Sequence, residues 1–246
     1  MTEWWKDFFD ADYLRVYQGR AEAGAGEADF VRKHLRLIRG QRVLDVCCGY
    51  GRHAIPLAGA GMQLTGFDYT RFFLDKARRD ARKHRVRVEW VQGDVREMEF
   101  EPVFDAAINM FTSFGFFPTE QENFEVIRRT VAALKPGGRF LMDTINREYI
   151  VRHFQSTHWQ PLGRGVLIER RRMDWQTGYM HNARTLIYPD RRRRRQEFFL
   201  RLYTLAELTA MFEQAGLDVQ QVFGSFDGSA YSPDAMRMIL IGRKPK

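Results

Sequence analysis

Only two cysteines occur in the 246 residues, and they are neighbours, Cys47 and Cys48. An adjacent pair suits neither an ordinary disulfide nor the spaced ligands of a metal site, so no covalent staple and no metal centre is expected. No apolar run approaches the roughly 20 residues that a bilayer span requires. The opening Met1-Thr2-Glu3-Trp4-Trp5-Lys6-Asp7 lacks the basic-then-apolar layout of a secretory signal. The expectation is a cytoplasmic chain with no membrane partner. Internal repeats and low-complexity linkers are missing too, apart from one arginine run. A dinucleotide fingerprint G-x-G-x-x-G would need glycines at 47, 49 and 52; Cys47 and Arg52 break it, which removes that rival at once.

What is present fits one well-filled domain with a small addition, since 44% of residues are hydrophobic. The net charge of +8 invites a nucleic-acid reading. Arg191 to Arg195 supply five of those charges, however, and a single basic run between two strand-like segments reads as a solvated hairpin tip. Nucleic acid is therefore not the expected partner.

The stretch Val43-Leu44-Asp45-Val46-Cys47-Cys48-Gly49-Tyr50-Gly51-Arg52-His53 organises the chain. An apolar run ending in an acid, a small-residue turn and a helical pattern read as strand, tight loop and helix N-terminus, the layout of a nucleotide cradle. Cys47 stands at the first glycine position, where a turn demanding positive φ would be strained. Two further strands end in acids. Met62 to Asp68 places Asp68 at the carboxyl edge of the sheet, where a carboxylate can accept both ribose hydroxyls or simply cap the next helix. Val86 to Val91 leads to Gly93-Asp94-Val95, where Asp94 and the Val95 N–H match the amino group and ring nitrogen of adenine, or Asp94 closes a turn. Phe104 to Phe111 reads as a fourth, buried strand with the exit loop Thr112 to Phe117. Thr119-Glu120-Gln121-Glu122 reads as a capping box, and Lys135-Pro136-Gly137-Gly138 turns into a fifth strand. The repeated β-α order implies a doubly wound, mostly parallel, Rossmann-like sheet of the α/β class.

The flanks differ. Trp4, Trp5, Phe8, Phe9, Tyr13 and Tyr17 recur at near-helical spacing and predict a short aromatic helix or lid. Tyr17 could face a cation and Arg20 a carboxylate, or both could pack and face solvent. Between Gly165 and Tyr203 the pattern turns to short strands with turns at Gln176-Thr177-Gly178 and Pro189-Asp190. This predicts an inserted antiparallel sheet of about three strands, a cap or a homodimer face. A second capping box, Thr204 to Glu207, opens the last helix, and two strands finish the sheet as its sixth and seventh. The expected units are a helical lid over 1–40, the core over 41–146, the β insertion over 147–203 and completion of the core over 204–246.

Asp45 to Gly51, Asp68, Gly93-Asp94 and Leu134 to Gly138 together resemble the class I S-adenosylmethionine (SAM) methyltransferases across nearly the whole chain. Tyr13 to Arg20, Met110 to Gly115 and the β insertion are similar to bacterial small-molecule members, including nucleotide-sugar N-methyltransferases. The resemblance implies SAM as cofactor, S-adenosylhomocysteine as product, and in-line methyl transfer to a nitrogen or oxygen of a small-molecule acceptor. It implies cofactor contacts at Tyr17, Arg20, Asp45, Cys47, Cys48, Gly49, Gly51, Asp68, Tyr69, Gly93, Asp94, Val95, Asn109, Met110 and Phe111. It names no general base; Tyr17, His153, His158 and His181 are the candidates in sequence. The N/D-P-P-Y/F signature of nucleic-acid base methyltransferases is absent, because Asn109-Met110-Phe111-Thr112 has neither proline. An RNA-directed enzyme and a degenerate SAM-binding module are the alternatives.

Overall fold

Alternation along one short strand sets the layers. In β1 (Arg42–Val46), Leu44 and Val46 pack into one apolar cluster while Val43 packs into another, on the opposite face of the sheet. The structure, a computed structural model, describes residues 3–17, 19 and 23–246. Parallel to β1 run β2 (Gln63–Asp68) and β4 (Phe104–Asn109) on its two sides. Beyond them lie β3 (Val88–Gln92) and β5 (Leu134–Ile145), with β10 (Asp218–Phe223) and β11 (Arg237–Arg243) added antiparallel at one edge. The order β10-β11-β5-β4-β1-β2-β3 reverses between β1 and β4, the switch point at which α/β sheets open a crevice. The sheet is the predicted seven-stranded one.

Helices α3 (Gly24–His34), α4 (Ala54–Gly59), α5 (Arg71–Lys83), α6 (Glu120–Ala133) and α8 (Leu205–Gln214) cover the two faces. Thr204 and Glu207 form the reciprocal capping box that opens α8, and Thr119 accepts from the Glu122 amide at the start of α6. α7 (Arg147–Arg152) leads out of the core into the insertion.

The insertion has four antiparallel strands rather than three: β6 (Thr157–Leu162), β7 (Gly165–Met173), β8 (Tyr179–Ile187) and β9 (Arg193–Arg201), in that order. β6 contains Pro161 and only one β-branched residue, so its signal is weak; as an edge strand it tolerates the missing N–H. The aromatic N-terminus is two helices, α1 (Trp5–Phe8) and α2 (Ala11–Val16), rather than one. Asp10 separates them, because its carboxylate caps the amides of Asp12 and Tyr13 from an extended conformation. Trp4 lies within 5.1 Å of Phe116 and 5.6 Å of Phe198, ring centre to ring centre, which ties this segment to both the core and the β sheet above it.

The arginine run is only partly a hairpin tip. Arg191, at φ +65°, makes the turn, but β9 begins at Arg193. Arg194 points back to Asp10 (2.5 Å) and Asp12 (2.6 Å), which binds α2 to the insertion. Arg192 pairs with Asp190 and Arg195 with Glu197.

Candidate active site

The loop after β1 builds the floor of a cavity. Cys47 adopts φ +59°, Gly49 +54° and Gly51 +81°, so three of five residues are left-handed and only one of the three carries a side chain. The strain foreseen at Cys47 is therefore real, on the order of 1–2 kcal/mol for a residue with a Cβ. Gly51 has a second reason to be glycine: a Cβ there would stand 2.6 Å from the Trp90 ring. The cavity is lined from this loop by Cys47, Cys48, Gly49 and Tyr50, from the ends of β2 and β3 by Asp68, Tyr69, Asp94 and Val95, and from the β4 exit by Met110, Phe111 and Ser113. The N-terminal helices close it with Trp5, Phe9, Tyr13 and Tyr17. Tyr17 and Phe111 meet edge-to-face at 5.7 Å.

Most of the residues expected from sequence thus converge, but not all. Asp45, Gly51, Gly93 and Asn109 stand back from the cavity wall. Asn109 is fully buried and donates from Nδ2 to the Val46 carbonyl at 3.0 Å, holding β4 to the end of β1 where the loop begins. Arg20 lies outside the described residues. His153, His158 and His181 are not on the wall, whereas Tyr17 is.

The three strand-end acids sit in different electrical surroundings. Asp45 is 1% exposed; burial first, and the neighbouring Asp68 second, push its carboxyl up to about 8. Its Oδ2 has no hydrogen-bond partner among the described residues. Asp68 accepts from the Gly49 amide (2.7 Å) and the Thr70 amide (2.8 Å), one on each oxygen, so it both shapes the loop and precedes α5. Burial still raises its pKa, with those amides acting against the rise. At Asp94 burial is outweighed by Arg96, whose fork grips both oxygens, and the carboxyl falls below the usual range. Arg96 is itself sandwiched against Trp5 and Phe117 at 5.3 and 4.7 Å. The turn-closing reading of Asp94 also holds, since Oδ1 accepts the Arg96 amide. Both thiols are pushed well up, chiefly by burial, which makes them poor nucleophiles.

His53, which by sequence could either meet a ligand or sit in the core or at the surface, has a partner that the sequence did not signal. His53 lines the cavity and its Nε2 lies 2.6 Å from Glu27 Oε2. Burial lowers the His53 pKa against the pull of Glu27, so the imidazole is neutral near pH 7. The partners are 26 residues apart and meet only because α3 packs on α4.

Residues 43–138 match the methyltransferase domain family. Over that span the chain carries a methyltransferase domain. Across most of its length the chain is similar to the cypemycin N-terminal methyltransferase of a Streptomyces species, with 28% identity over 220 residues covering 89% of each chain. It is also similar to the glycine/sarcosine N-methyltransferase of Halorhodospira halochloris, 28% identical over 174 residues, 69% of this chain and 62% of the relative. Among solved structures, the CcbJ methyltransferase of Streptomyces caelestis shares the fold with a TM-score of 0.80 at 21% identity, covering 91% of this chain and 90% of the other. The sugar N-methyltransferase KedS8 of a Streptoalloteichus species superposes with a TM-score of 0.74 at 20% identity, over 95% and 93%. At such identities the structural likeness establishes the fold.

No group of three or more His, Cys, Asp or Glu side chains that could hold a metal ion occurs among the described residues, and no described helix is long and apolar enough to cross a membrane.

Proposed function

We propose that the enzyme moves a methyl group from SAM to a nitrogen or oxygen atom of a small-molecule acceptor held beneath the four-stranded insertion. The observation that carries the proposal is that Asp68 and Asp94, from neighbouring strand ends, open onto the same cavity as the glycine loop and the Tyr17–Phe111 wall. Each carboxylate oxygen of Asp68 accepts one amide and retains lone-pair capacity, which suits two vicinal ribose hydroxyls. Asp94 and the Val95 N–H would read the adenine edge, with Arg96 keeping Asp94 ionised. Asp45 stands behind the cavity wall; its partnerless Oδ2 would be the acceptor for the ammonium of a methionine moiety that reached in past the glycine loop, since a buried oxygen without a donor is costly until one arrives. Cys47, Cys48 and Gly49 would line the moiety's path, Met110 and Phe111 would wall it, Tyr69 would lie at the ribose side, and Arg20, with Tyr17, belongs to the same proposed set. Gly51, Gly93 and Asn109 would act by shaping the backbone.

Bound in this way, SAM supplies an electrophilic methyl group on a sulfonium centre. The aromatic faces of Tyr13 and Tyr17 would favour that cation and exclude water. The chain's main work is then alignment of acceptor and methyl carbon. An amine acceptor arrives with its own lone pair; a hydroxyl acceptor would find neutral His53, oriented by Glu27, on the cavity wall. The cypemycin and glycine/sarcosine enzymes carry nitrogen acceptors in their names, which favours nitrogen here.

An RNA acceptor is less well supported, because Arg192, Arg194 and Arg195 each sit on a carboxylate of the chain itself. Calorimetric titration with SAM, S-adenosylhomocysteine and NAD tests the proposal: the first two should bind and NAD should not. Asp68→Ala should weaken SAM at least about a hundredfold, the loss of two hydrogen bonds to a charged acceptor at roughly 1.5–3 kcal/mol each. Unchanged SAM affinity in a folded variant would sink the ribose assignment.

A further inference from the structure

Arg184 lies on β8, on the face of the insertion that looks toward α1 and α2, and its side chain is completely buried. Its Nε donates to Gln196 Oε1 at 2.9 Å, but neither Nη1 nor Nη2 has a hydrogen-bond partner among the described residues. The guanidinium instead lies 4.1 Å from the centre of the Phe8 ring. The carboxylates that could neutralise it are committed elsewhere. Glu169, directly opposite in the strand register, is bound by Arg171 at 2.5 Å, and Asp10 and Asp12 are bound by Arg194. Buried guanidinium groups are ordinarily paired, because each unmet N–H forfeits its hydration without return. Burial accordingly lowers the Arg184 pKa.

The position is also informative. Phe8 packs on Tyr13 (5.9 Å), Tyr13 on Tyr17 (4.6 Å), and both tyrosines line the cavity. Arg184 therefore stands directly behind the aromatic wall of the proposed methyl-transfer site, on the insertion strand that packs against the N-terminal helices. We propose that Arg184 is the anchor for an anionic group of the acceptor, a carboxylate or a phosphate, which enters between the N-terminal helices and the insertion and takes the two free ends of the guanidinium fork. The proposal rests on the methyltransferase reading and narrows its substrate class to amines or alcohols that carry an anion. A planar fork with two open amines matches a carboxylate or phosphate bidentately, and a neutral carbonyl would leave the charge unmet.

The test uses the whole chain saturated with S-adenosylhomocysteine, whose binding is first verified by calorimetry in wild type, Arg184→Met and Arg184→Gln. Melting curves are then recorded with inorganic phosphate, acetate or chloride at equal ionic strength. Wild type should gain about 3–5 °C from the matching anion at tenfold excess over its Kd, the shift expected for a chain of this length, and both variants should gain none. A response to phosphate alone marks a phosphate-bearing acceptor; a response to acetate marks a carboxylate. In an acceptor series of amino acids against their methyl esters and sugar phosphates against the free sugars, wild type should prefer the anionic member at least about tenfold in kcat/KM, roughly the 1.5–3 kcal/mol of a charge-assisted hydrogen bond. That ratio should collapse in the variants. If neither variant folds, a crystal structure of wild type grown with the anion decides, by whether the anion sits on Nη1 and Nη2. No anion response in wild type, an equal response in the variants, or an anion bound elsewhere overturns the proposal, whereas failure of S-adenosylhomocysteine to bind overturns the underlying methyltransferase reading instead.

Discussion

Replacing Asp45 by asparagine should make the protein more stable at neutral pH and remove a pH dependence that wild type must show. The Asp45 carboxyl moves from 3.8 in the reference state to about 8 in the fold. A group raised on folding stabilises the native state fully below its unfolded pKa and loses that contribution as pH rises toward the folded value. Between pH 4 and pH 8 the unfolded chain has released the proton and the native chain has kept it. Stability therefore falls by about 1.4 kcal/mol per pH unit, and by pH 7 the ceiling on the loss is about 4 kcal/mol. Asparagine carries no such burden, but its amide needs a partner of its own at roughly 1–3 kcal/mol. The net gain for Asp45→Asn at pH 7 is thus on the order of 2 kcal/mol, about 4–8 °C for a chain of this size. Calorimetric melts of both proteins at pH 5, 6, 7 and 8 would show the gap widening with pH. SAM affinity supplies a second check. If the methionine ammonium calls out the Asp45 proton, wild-type affinity should rise up to tenfold per unit between pH 6 and 8 and level off above, while the variant binds weakly with no such rise. A stability gap that stays constant from pH 5 to 8 would refute the assignment of a protonated, buried Asp45.

Two further outcomes follow from the same geometry. Cys47→Gly relieves about 1–2 kcal/mol of left-handed strain but adds roughly 0.5–1 kcal/mol of backbone entropy and loses a partly buried side chain, so its Tm should move by no more than about 4 °C. Cys47→Val, β-branched at φ +59°, should lose more than about 2 kcal/mol, and thermal melts separate the two. Arg194→Ala removes the pairs to Asp10 and Asp12; since the arginine is 39% exposed, screening holds the global loss to about 1 kcal/mol or less. Its effect should be local, with hydrogen exchange accelerated over Ala11–Val16 and elsewhere unchanged.

The core was legible because its signals are periodic and local. Val43, Leu44 and Val46 declare a buried strand, and Asp45, Asp68 and Asp94 each mark a strand end that the topology must bring to one edge. What escaped the sequence depends on distance or on orientation. Glu27 and His53 form a pair only through the packing of α3 on α4. β6 escaped because Pro161 and the exposed Trp159 give an edge strand no alternating pattern. Arg194 is indistinguishable by sequence from its four arginine neighbours, and only the pleat of β9 turns it inward to α2. Arg184 reads as one charged residue in a strand; that its terminal amines have no hydrogen-bond partner among the described residues is visible only when Glu169 is seen to be taken by Arg171.

The three acids also show why a joint motif does not assign roles. They share a residue type and a topological place, yet one is buried with an oxygen that has no donor, one is held by two backbone amides and one is clamped by an arginine. Near pH 7 Asp94 is ionised and Asp45 is mostly protonated, so of these two acids the charged one stands at the end proposed for adenine. A ligand with its cationic centres at the opposite end supplies the missing partner to Asp45 and draws off its proton, which makes charge at that end a consequence of binding. A neutral adenosine lacks those centres. It should therefore bind with no proton release near pH 7, whereas SAM should release close to one proton, as calorimetry in buffers of different ionisation enthalpy would reveal. Equal proton release by the two ligands would place the titrating group elsewhere than Asp45.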